Sequence, residues 1–473
     1  MAERINTDLS NYHEFLKSKK QIAISSGFEK PKEQMCSAMF DWQKDIVYWA
    51  LRKGRCALFE DCGLGKTIQS LEWAKSVVEH TGKPIIIVCP LSVAEQTKRE
   101  GEKFGYSVSV VRDQCQVTDG INVTNYEMLD HFDASVFGGV VLDESSILKN
   151  YSGKMRTEII EKFQNTPYKL SCTATPAPND FMELGNQSEF CGVMSRTEML
   201  ATFFIHDGGD TSKWRLKGHA QDAFWEWLAT WAVVLTKPSD LGYDNTGYDL
   251  PELITEQITI RYDENIIDDN YSLFAGVAQT LNERRNARRN SLEDRCKAAL
   301  DLIEQEPEEQ WLVWCDLNAE ADELKRIIPD NIEVRGSDDI EVKAERLNQF
   351  TIGAAKRLIV KPSIAAFGLN WQNCHNMIFV GLSDSFEMMY QAIRRCWRFG
   401  QEYPVSVYII TSEAEGAVKD NIERKEKQAA QMVAEMVQHT REILEQEIRG
   451  TERITIPYNP QIDMEIPKWL MSA

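Results

Sequence analysis

Short runs of aliphatic and β-branched residues punctuate the chain and predict strands. They lie at Ala57 to Phe59, Ile85 to Val88, Val108 to Val111 and Val140 to Leu142, then at Leu312 to Cys315, Leu358 to Val360, Met377 to Val380 and Val405 to Ile410. Unbroken apolar character, rather than alternation, is what a parallel strand covered by helices on both faces requires. Between the runs, apolar residues recur at helical spacing, as in Ile68, Leu71, Ala74 and Val78. Strands alternating with helices predict parallel sheets. The alternation breaks between about Asn179 and Thr255, where the chain becomes rich in Trp and Gly and carries Gly208-Gly209 and Gly242-Tyr-Asp-Asn-Thr-Gly247. The pattern therefore predicts two α/β lobes joined through an irregular connector, the second series following a helical stretch from about Asp268 to Gln305. From about Glu413 to Arg449, Ala430, Val433, Met436, Val437, Ile443 and Leu444 fall at helical spacing among many charges. That is a long amphipathic helix, expected to dock on the second lobe, with a partner-binding role as the alternative.

Composition narrows the class. A chain of 473 residues with 43% hydrophobic content fills two or three globular cores. The longest apolar stretches, Ile85 to Ala94 and Trp227 to Leu235, fall well short of the roughly twenty residues that cross a bilayer. The opening MAERINTDLS lacks a basic head followed by an apolar block, so the expectation is cytoplasmic residence without a secretory signal. Acids outnumber bases by 73 to 53, a net charge of -20, which repels polyanions unless basic groups gather locally. The eleven cysteines include no Cys-x-x-Cys pair, so neither a zinc ribbon nor a disulfide framework is expected, and most sit in apolar strings as small hydrophobes.

Two stretches carry phosphate chemistry. After the strand at Ala57 comes Glu60-Asp-Cys-Gly-Leu-Gly-Lys-Thr67, then the helical face of Ile68 and Leu71. A strand, a tight glycine turn and a helix start aim backbone N–H groups at a phosphate chain, while a lysine neutralises the β and γ oxygens and a hydroxyl reaches Mg²⁺. Gly63, Gly65, Lys66 and Thr67 are the candidates. The strict pattern has glycine where Glu60 stands, and a chance Gly-Lys-Thr on a surface turn is the plain alternative. Gly138-Gly-Val-Val-Leu-Asp-Glu144 supplies the second half, a strand ending in carboxylates. Asp143 is suited to hold the magnesium and Glu144 to polarise an attacking water; alone, the two acids would read as a solvated strand edge.

With these motifs in place the sequence resembles a superfamily 2 helicase of the Swi/Snf type over nearly its whole length. Phe40-Asp-Trp-Gln43 is similar to the family's adenine-reading glutamine segment. Val88-Cys-Pro-Leu-Ser92 and Val123-Thr-Asn-Tyr-Glu127 resemble its nucleic-acid-contacting elements, and Asp143-Glu-Ser-Ser-Ile-Leu-Lys-Asn150 resembles its Asp-Glu box. Ser171-Cys-Thr-Ala-Thr-Pro176 resembles the coupling motif. In the second half, Ser363-Ile-Ala-Ala-Phe-Gly-Leu-Asn370 and Gln391-Ala-Ile-Arg-Arg-Cys-Trp-Arg-Phe-Gly-Gln401 resemble the fifth and sixth motifs, with Arg395 and Arg398 at the finger positions. The Trp214 to Gly242 stretch resembles stand-alone members carried by bacteriophages and prophages. No chromatin-binding module and no nuclease or methyltransferase site is visible.

The resemblance implies two RecA-like parallel-sheet lobes in tandem with an ATP cleft between them. It implies an N-terminal extension at 1–34, a first, ATP-binding lobe at 35–250 that includes the Trp-rich connector, a second lobe at 251–449 and a tail at 450–473. ATP and Mg²⁺ are the implied cofactors. Gln43, Gly63, Gly65, Lys66, Thr67, Gly368 and Gln391 would bind the nucleotide, Thr67 and Asp143 the metal, and Lys66, Asp143, Glu144, Arg395 and Arg398 would carry hydrolysis. Ser92, Thr124, Ser363 and Asn370 would grip DNA phosphates. The expected activity is a DNA-dependent ATPase that translocates on duplex or branched DNA in phage or bacterial replication, recombination or repair. The alternative is an ATP-gated adaptor that licenses a separate nuclease or methyltransferase; RNA as substrate is disfavoured, and oligomeric state stays open. Arg284, Arg285, Arg288 and Arg289 either extend the DNA channel or form a solvated helix face, and His219 reads as structural.

Overall fold

The computed structural model describes residue 23 and residues 25–260 and 291–449, apart from 92, 150–152, 208–209, 366–368, 382–384 and 413–415. Two wholly parallel sheets organise it. The first contains β1 (Arg55–Glu60), β2 (Ile85–Cys89), β3 (Val108–Val110), β4 (Ile121–Asn125), β5 (Gly139–Asp143), β6 (Tyr168–Thr173) and β9 (Ala232–Leu235), in the order β3-β4-β2-β5-β6-β1-β9. An antiparallel hairpin of β7 (Phe204–Asp207) and β8 (Asp210–Leu216) stands outside it. The second sheet contains β10 (Leu253–Ile260), β11 (Trp311–Cys315), β12 (Asn331–Val334), β13 (Arg357–Val360), β14 (Asn376–Val380) and β15 (Val405–Ser412), in the order β10-β15-β14-β11-β13-β12. These are two RecA-like lobes, each a parallel sheet with helices on both faces.

All eight strands read from the apolar runs are present. Those missed are short or polar: β4 carries Asn122 and Thr124 inside a fully buried run, and β10 is mostly exposed on its edge of the sheet. The chain runs from β1 past β6 and β5 to reach β2. Such reversals of strand order open a crevice at the carboxyl ends of the strands. Register aligns Phe59 with Thr173 and Asp143 with Cys172, so the ends of β1, β5 and β6 form one rim of that crevice.

Two expectations are corrected. Much of the Trp-rich stretch read as an irregular connector is structural core of the first lobe. Its helix Gln221–Ala229 and β9 place Phe224, Trp225, Trp227 and Trp231 in the core beside Phe203 and Phe204, and β9 pairs with β1. Four residues of strand behind a cluster of large rings give too little periodicity to register as a strand. The terminal helix, Gly416–Arg449, docks chiefly on the first lobe rather than the second. Met436 joins the core around Trp227, while Leu444 and Ile448 join the core around Trp49. Glu447 accepts from Trp49 Nε1 at 3.0 Å and pairs with Lys53 at 2.9 Å, and His439 stacks on Trp225. Ala429 packs against the second-lobe core, so the helix spans the junction. Helical spacing specifies that a face is buried without naming its partner.

All eleven cysteines are free, and most are buried. Among the described residues no helix is long and apolar enough to cross a membrane, and no cluster of His, Cys, Asp or Glu has metal-site geometry. The arginine cluster 284–289, the N-terminal residues 1–22 and the tail 450–473 lie outside the described residues.

Candidate active site

β1 ends at Glu60, and the chain turns into the helix Lys66–Thr81. The turn places Gly63 at φ 90° and Gly65 at φ 80°, backbone that side chains with a Cβ rarely adopt. Gly65 is also crowded, since a Cβ there would lie 2.4 Å from Gln43 Nε2. Gln43, buried in the helix Asp41–Lys53, donates from that nitrogen to the Leu64 carbonyl at 2.9 Å and accepts from the Phe40 N–H at 3.0 Å. It therefore fixes the loop from behind. Lys66 Nζ donates to the carbonyls of Glu60 (2.7 Å) and Asp61 (3.0 Å), with Thr67 next in the first turn of the helix.

Glu60, where a strict phosphate loop has glycine, is fully buried. Gln69 Nε2 donates to its Oε2 at 2.8 Å, while Oε1 has no hydrogen-bonding partner among the described residues. Burial pushes its carboxyl up to about 7, against the opposing pull of Lys66 and Gln69. A carboxyl whose folded pKa lies above its unfolded one stabilises the fold below the unfolded value and loses that contribution as pH rises through the folded one. Glu60→Gln never ionises. Its stability relative to the parent should rise between about pH 4.5 and 7, by up to ~3 kcal/mol. Urea midpoints at pH 4.5 and 8 check this; a difference independent of pH would refute a buried, proton-holding Glu60.

Asp143 closes β5, and Glu144 follows at φ 59°, a left-handed conformation unusual outside glycine. Such strain persists where surrounding contacts fix it. Here Thr173 and Ser146 hydroxyls both donate to Glu144 Oε1, at 2.8 and 3.1 Å. Burial, then the neighbouring Glu144 charge, raises the Asp143 carboxyl to about 6, with Lys66 pulling down; burial likewise raises Glu144. A divalent cation at this rim would invert that balance and favour the ionised carboxylates.

The second lobe presents the helix Phe386–Ile393 and the arginine string after it. Arg395 is held within its own lobe: it donates to the Gln391 carbonyl, the Leu369 carbonyl and Gln391 Oε1, each at 3.0 Å. Gln391 Oε1 also accepts from the Cys62 thiol across the cleft at 3.6 Å. Arg398 is different. Among the described residues its guanidinium makes one hydrogen bond, a long 3.4 Å approach to the Leu369 carbonyl, and its Nε has no acceptor. Burial, followed by the Arg395 charge, lowers it to about 10. A half-buried guanidinium with a buried, unpaired Nε and no anion is costly, so this position favours an incoming anion. The string lies against the glycine turn: a Cβ on Gly63 would sit 3.2 Å from Phe399 N and 3.6 Å from Arg398 Cβ.

A cavity of about 1090 Å³ separates the lobes beside this rim, with Arg99, Lys103, Lys149, Ser363 and Asn370 in its wall and Glu144 opening onto it. Thr124 is buried in β4, and the residues that follow it, Tyr126 and Glu127, reach the cavity. Ser92 and Gly368 lie outside the described residues. His219 is exposed in the turn Gly218–Ala220, away from the cleft lining. Sequence reading missed the groups that join the lobes. Glu387 pairs with Lys149 and accepts from Thr175 Oγ1 at 3.3 Å, and Glu100 accepts from Asn370 Nδ2 at 3.3 Å. Asp61 binds Arg394 and Tyr390. Arg394 and Tyr390 lie within or beside the arginine-rich string, so the surplus arginine there was a visible signal; Glu100 offered none.

Two parallel-sheet lobes with a phosphate-type loop facing an arginine string define the class of helicase-fold nucleotide-binding proteins. Two protein-family models match the chain, the SNF2-related domain over residues 42–195 and the helicase conserved C-terminal domain over residues 294–400. Together they cover more than half of it, and the chain belongs to the Swi/Snf-type helicases of superfamily 2. It is similar to the Bos taurus DNA annealing helicase and endonuclease ZRANB3, at 22% identity over 423 residues, covering 80% of this chain and 39% of that one. It is also similar to the Bos taurus SWI/SNF-related matrix-associated actin-dependent regulator of chromatin subfamily A-like protein 1, at 22% identity over 418 residues, with 80% and 43% covered. The chain thus spans about two-fifths of the length of these curated relatives. Among solved structures it matches the Sulfolobus solfataricus SWI2/SNF2 ATPase core in complex with dsDNA, with a TM-score of 0.41 and 16% identity over 88% of this chain and 97% of that one.

Proposed function

We propose that the protein hydrolyses MgATP in the interlobe cleft and uses the resulting lobe motion to track along duplex or branched DNA, in bacterial or phage replication, recombination or repair. The observation that carries this reading is Arg398, a half-buried arginine whose buried Nε is unsatisfied and which lies in direct packing reach of the glycine turn. The loop from Gly63 to Thr67 holds the triphosphate, and Lys66 exchanges its two carbonyl acceptors for phosphate oxygens. Thr67 and Asp143 take the nucleotide's magnesium. Glu144, already oriented by Thr173 and Ser146, positions the attacking water and accepts its proton. Arg398 meets the charge that develops on the γ-phosphate. Arg395 and Gln391 serve as the rigid base that aims it.

Because neither lobe holds the full set, hydrolysis depends on closure, and the DNA-facing cavity shares Glu144 with the catalytic rim. Ser363 and Asn370 on one wall, with Ser92 and the basic residues of the other lobe, supply the two grips whose separation changes with each cycle, while Thr124, its hydroxyl buried in β4, lies behind that surface. Lys149 and Asn370 now hold Glu387 and Glu100, contacts that DNA phosphates would compete for. A net acidic chain binds DNA this way because the basic groups need only line one channel.

The test is displacement of a third strand from duplex DNA with ATP, run beside ATPase measurements on single-stranded, duplex, forked and RNA ligands. Duplex-stimulated hydrolysis with strand displacement is expected. Stimulated hydrolysis without displacement would instead identify an ATP-gated adaptor for a nuclease or methyltransferase, and the absence of any DNA-stimulated turnover would overturn both.

A further inference from the structure

We infer that Arg394 is a positioning residue: with Asp61 and Tyr390 it locks the phosphate loop to the arginine string and so sets how closely Arg398 approaches the nucleotide. The inference rests on the ATPase reading of the same cleft and adds a residue to which that reading gives no part.

Asp61 follows β1 directly and precedes the glycine turn. Both its carboxylate oxygens receive donors from the second lobe: Oδ1 from the Tyr390 hydroxyl, and Oδ2 from Arg394 Nη2 at 2.6 Å. The same Nη2 donates to the Cys62 carbonyl at 2.8 Å. One guanidinium therefore grips the loop by a side chain and by its backbone, where a charge-assisted bond is strongest. The contact is shielded from water, with Arg394 4% exposed. Its guanidinium carbon lies 4.9 Å from the Trp397 ring centroid and 5.9 Å from that of Tyr390. Burial, the largest single influence, disfavours the Arg394 charge, and Asp61, Tyr390 and Cys62 together outweigh it, holding the guanidinium above its ordinary range.

The geometry connects this pair to the reacting groups on both sides without placing it among them. On the loop side, the Asp61 carbonyl is one of the two acceptors of Lys66 Nζ. On the lobe side, Arg394 closes the helix Phe386–Ile393 through its N–H to the Tyr390 carbonyl at 3.0 Å, and the string leads from there to Arg398. Asp61 and Arg394 spend their charges on each other, whereas Arg398 pairs with no carboxylate among the described residues. The lock thus belongs to closure rather than to bond breaking. Without it, ATP would still bind the first lobe, and Arg398 would arrive less often.

The experiment is a double-mutant cycle on Asp61→Asn and Arg394→Met, with Arg394→Lys as the conservative variant. Steady-state hydrolysis is measured together with the distance between fluorophores placed at exposed Lys83 and Ile352, one on each lobe. Each single variant should lower kcat at least ~tenfold while KM for ATP stays within about threefold, and the double variant should be no worse than either single. Arg394→Lys should recover most of the turnover, and the label distance should widen equally in all three disabling variants. Multiplicative losses in the double variant, a rise in KM with kcat intact, or an unchanged label distance would each overturn the lock. A parent protein with no ATPase would sink the hydrolysis reading instead, and the label distances would still decide whether the pair holds the lobes together.

Discussion

Replacing Lys66 by alanine is expected to lower ATP turnover by a factor on the order of 10³ or more, the scale set by deleting one charge-stabilising donor at a transition state. The lysine is well placed for this. Its ammonium rests on two backbone carbonyls at the mouth of the glycine turn, neutral acceptors that a phosphate oxygen outcompetes. Those two bonds are also its structural role, and they tie the loop to itself rather than to the core. Removing them should leave the thermal midpoint within a few degrees. DNA binding should survive, because the cavity wall of Arg99, Lys103 and Asn370 is untouched. The informative comparison is kcat against DNA affinity in one preparation. Lost turnover with retained, salt-sensitive DNA binding supports the assignment; normal turnover removes Lys66 from the site.

The same loop shows where sequence reading succeeds and where it stops. Gly63 and Gly65 were legible because the turn's positive φ demands that residue type, and Lys66 because a phosphate loop calls for a cation at that spacing. Asp143 and Glu144 were legible because a buried apolar strand ending in two acids needs a reason. Glu60 was noticed only as a departure, and its meaning required burial: a carboxyl raised to about 7 beside Gln69 is a property of the packed core. Arg395 and Arg398 were equivalent in the string, and only the structure separates a guanidinium bound by Gln391 and Leu369 from one left open. Long-range partnership was illegible throughout. Trp49 meets Glu447, and Glu100 meets Asn370, across hundreds of residues with no local pattern to announce it. The terminal helix illustrates the limit most plainly, since its apolar stripe was correct and its partner lobe was not.

That separation of the two arginines makes the second large effect discriminating. Arg398→Ala should cut kcat by about 10³-fold or more, the range associated with an arginine that stabilises charge on a transferring phosphoryl group. It should leave nucleotide affinity nearly unchanged, since the loop and Lys66 belong to the other lobe. Stability should hold or improve, because the substitution removes a half-buried cation whose Nε has no acceptor and whose charge is opposed by Arg395. Arg395→Ala should behave differently. It deletes three hydrogen bonds to Gln391 and Leu369 and leaves their buried acceptors exposed to loss, so its fall in activity should come with a lower thermal midpoint. Measuring kcat, ATP affinity and thermal midpoint for both variants therefore separates chemistry from scaffolding. If Arg398→Ala turns over at the parental rate, the guanidinium facing the glycine turn is not the group that meets the γ-phosphate, and hydrolysis at this seam would need another source of positive charge.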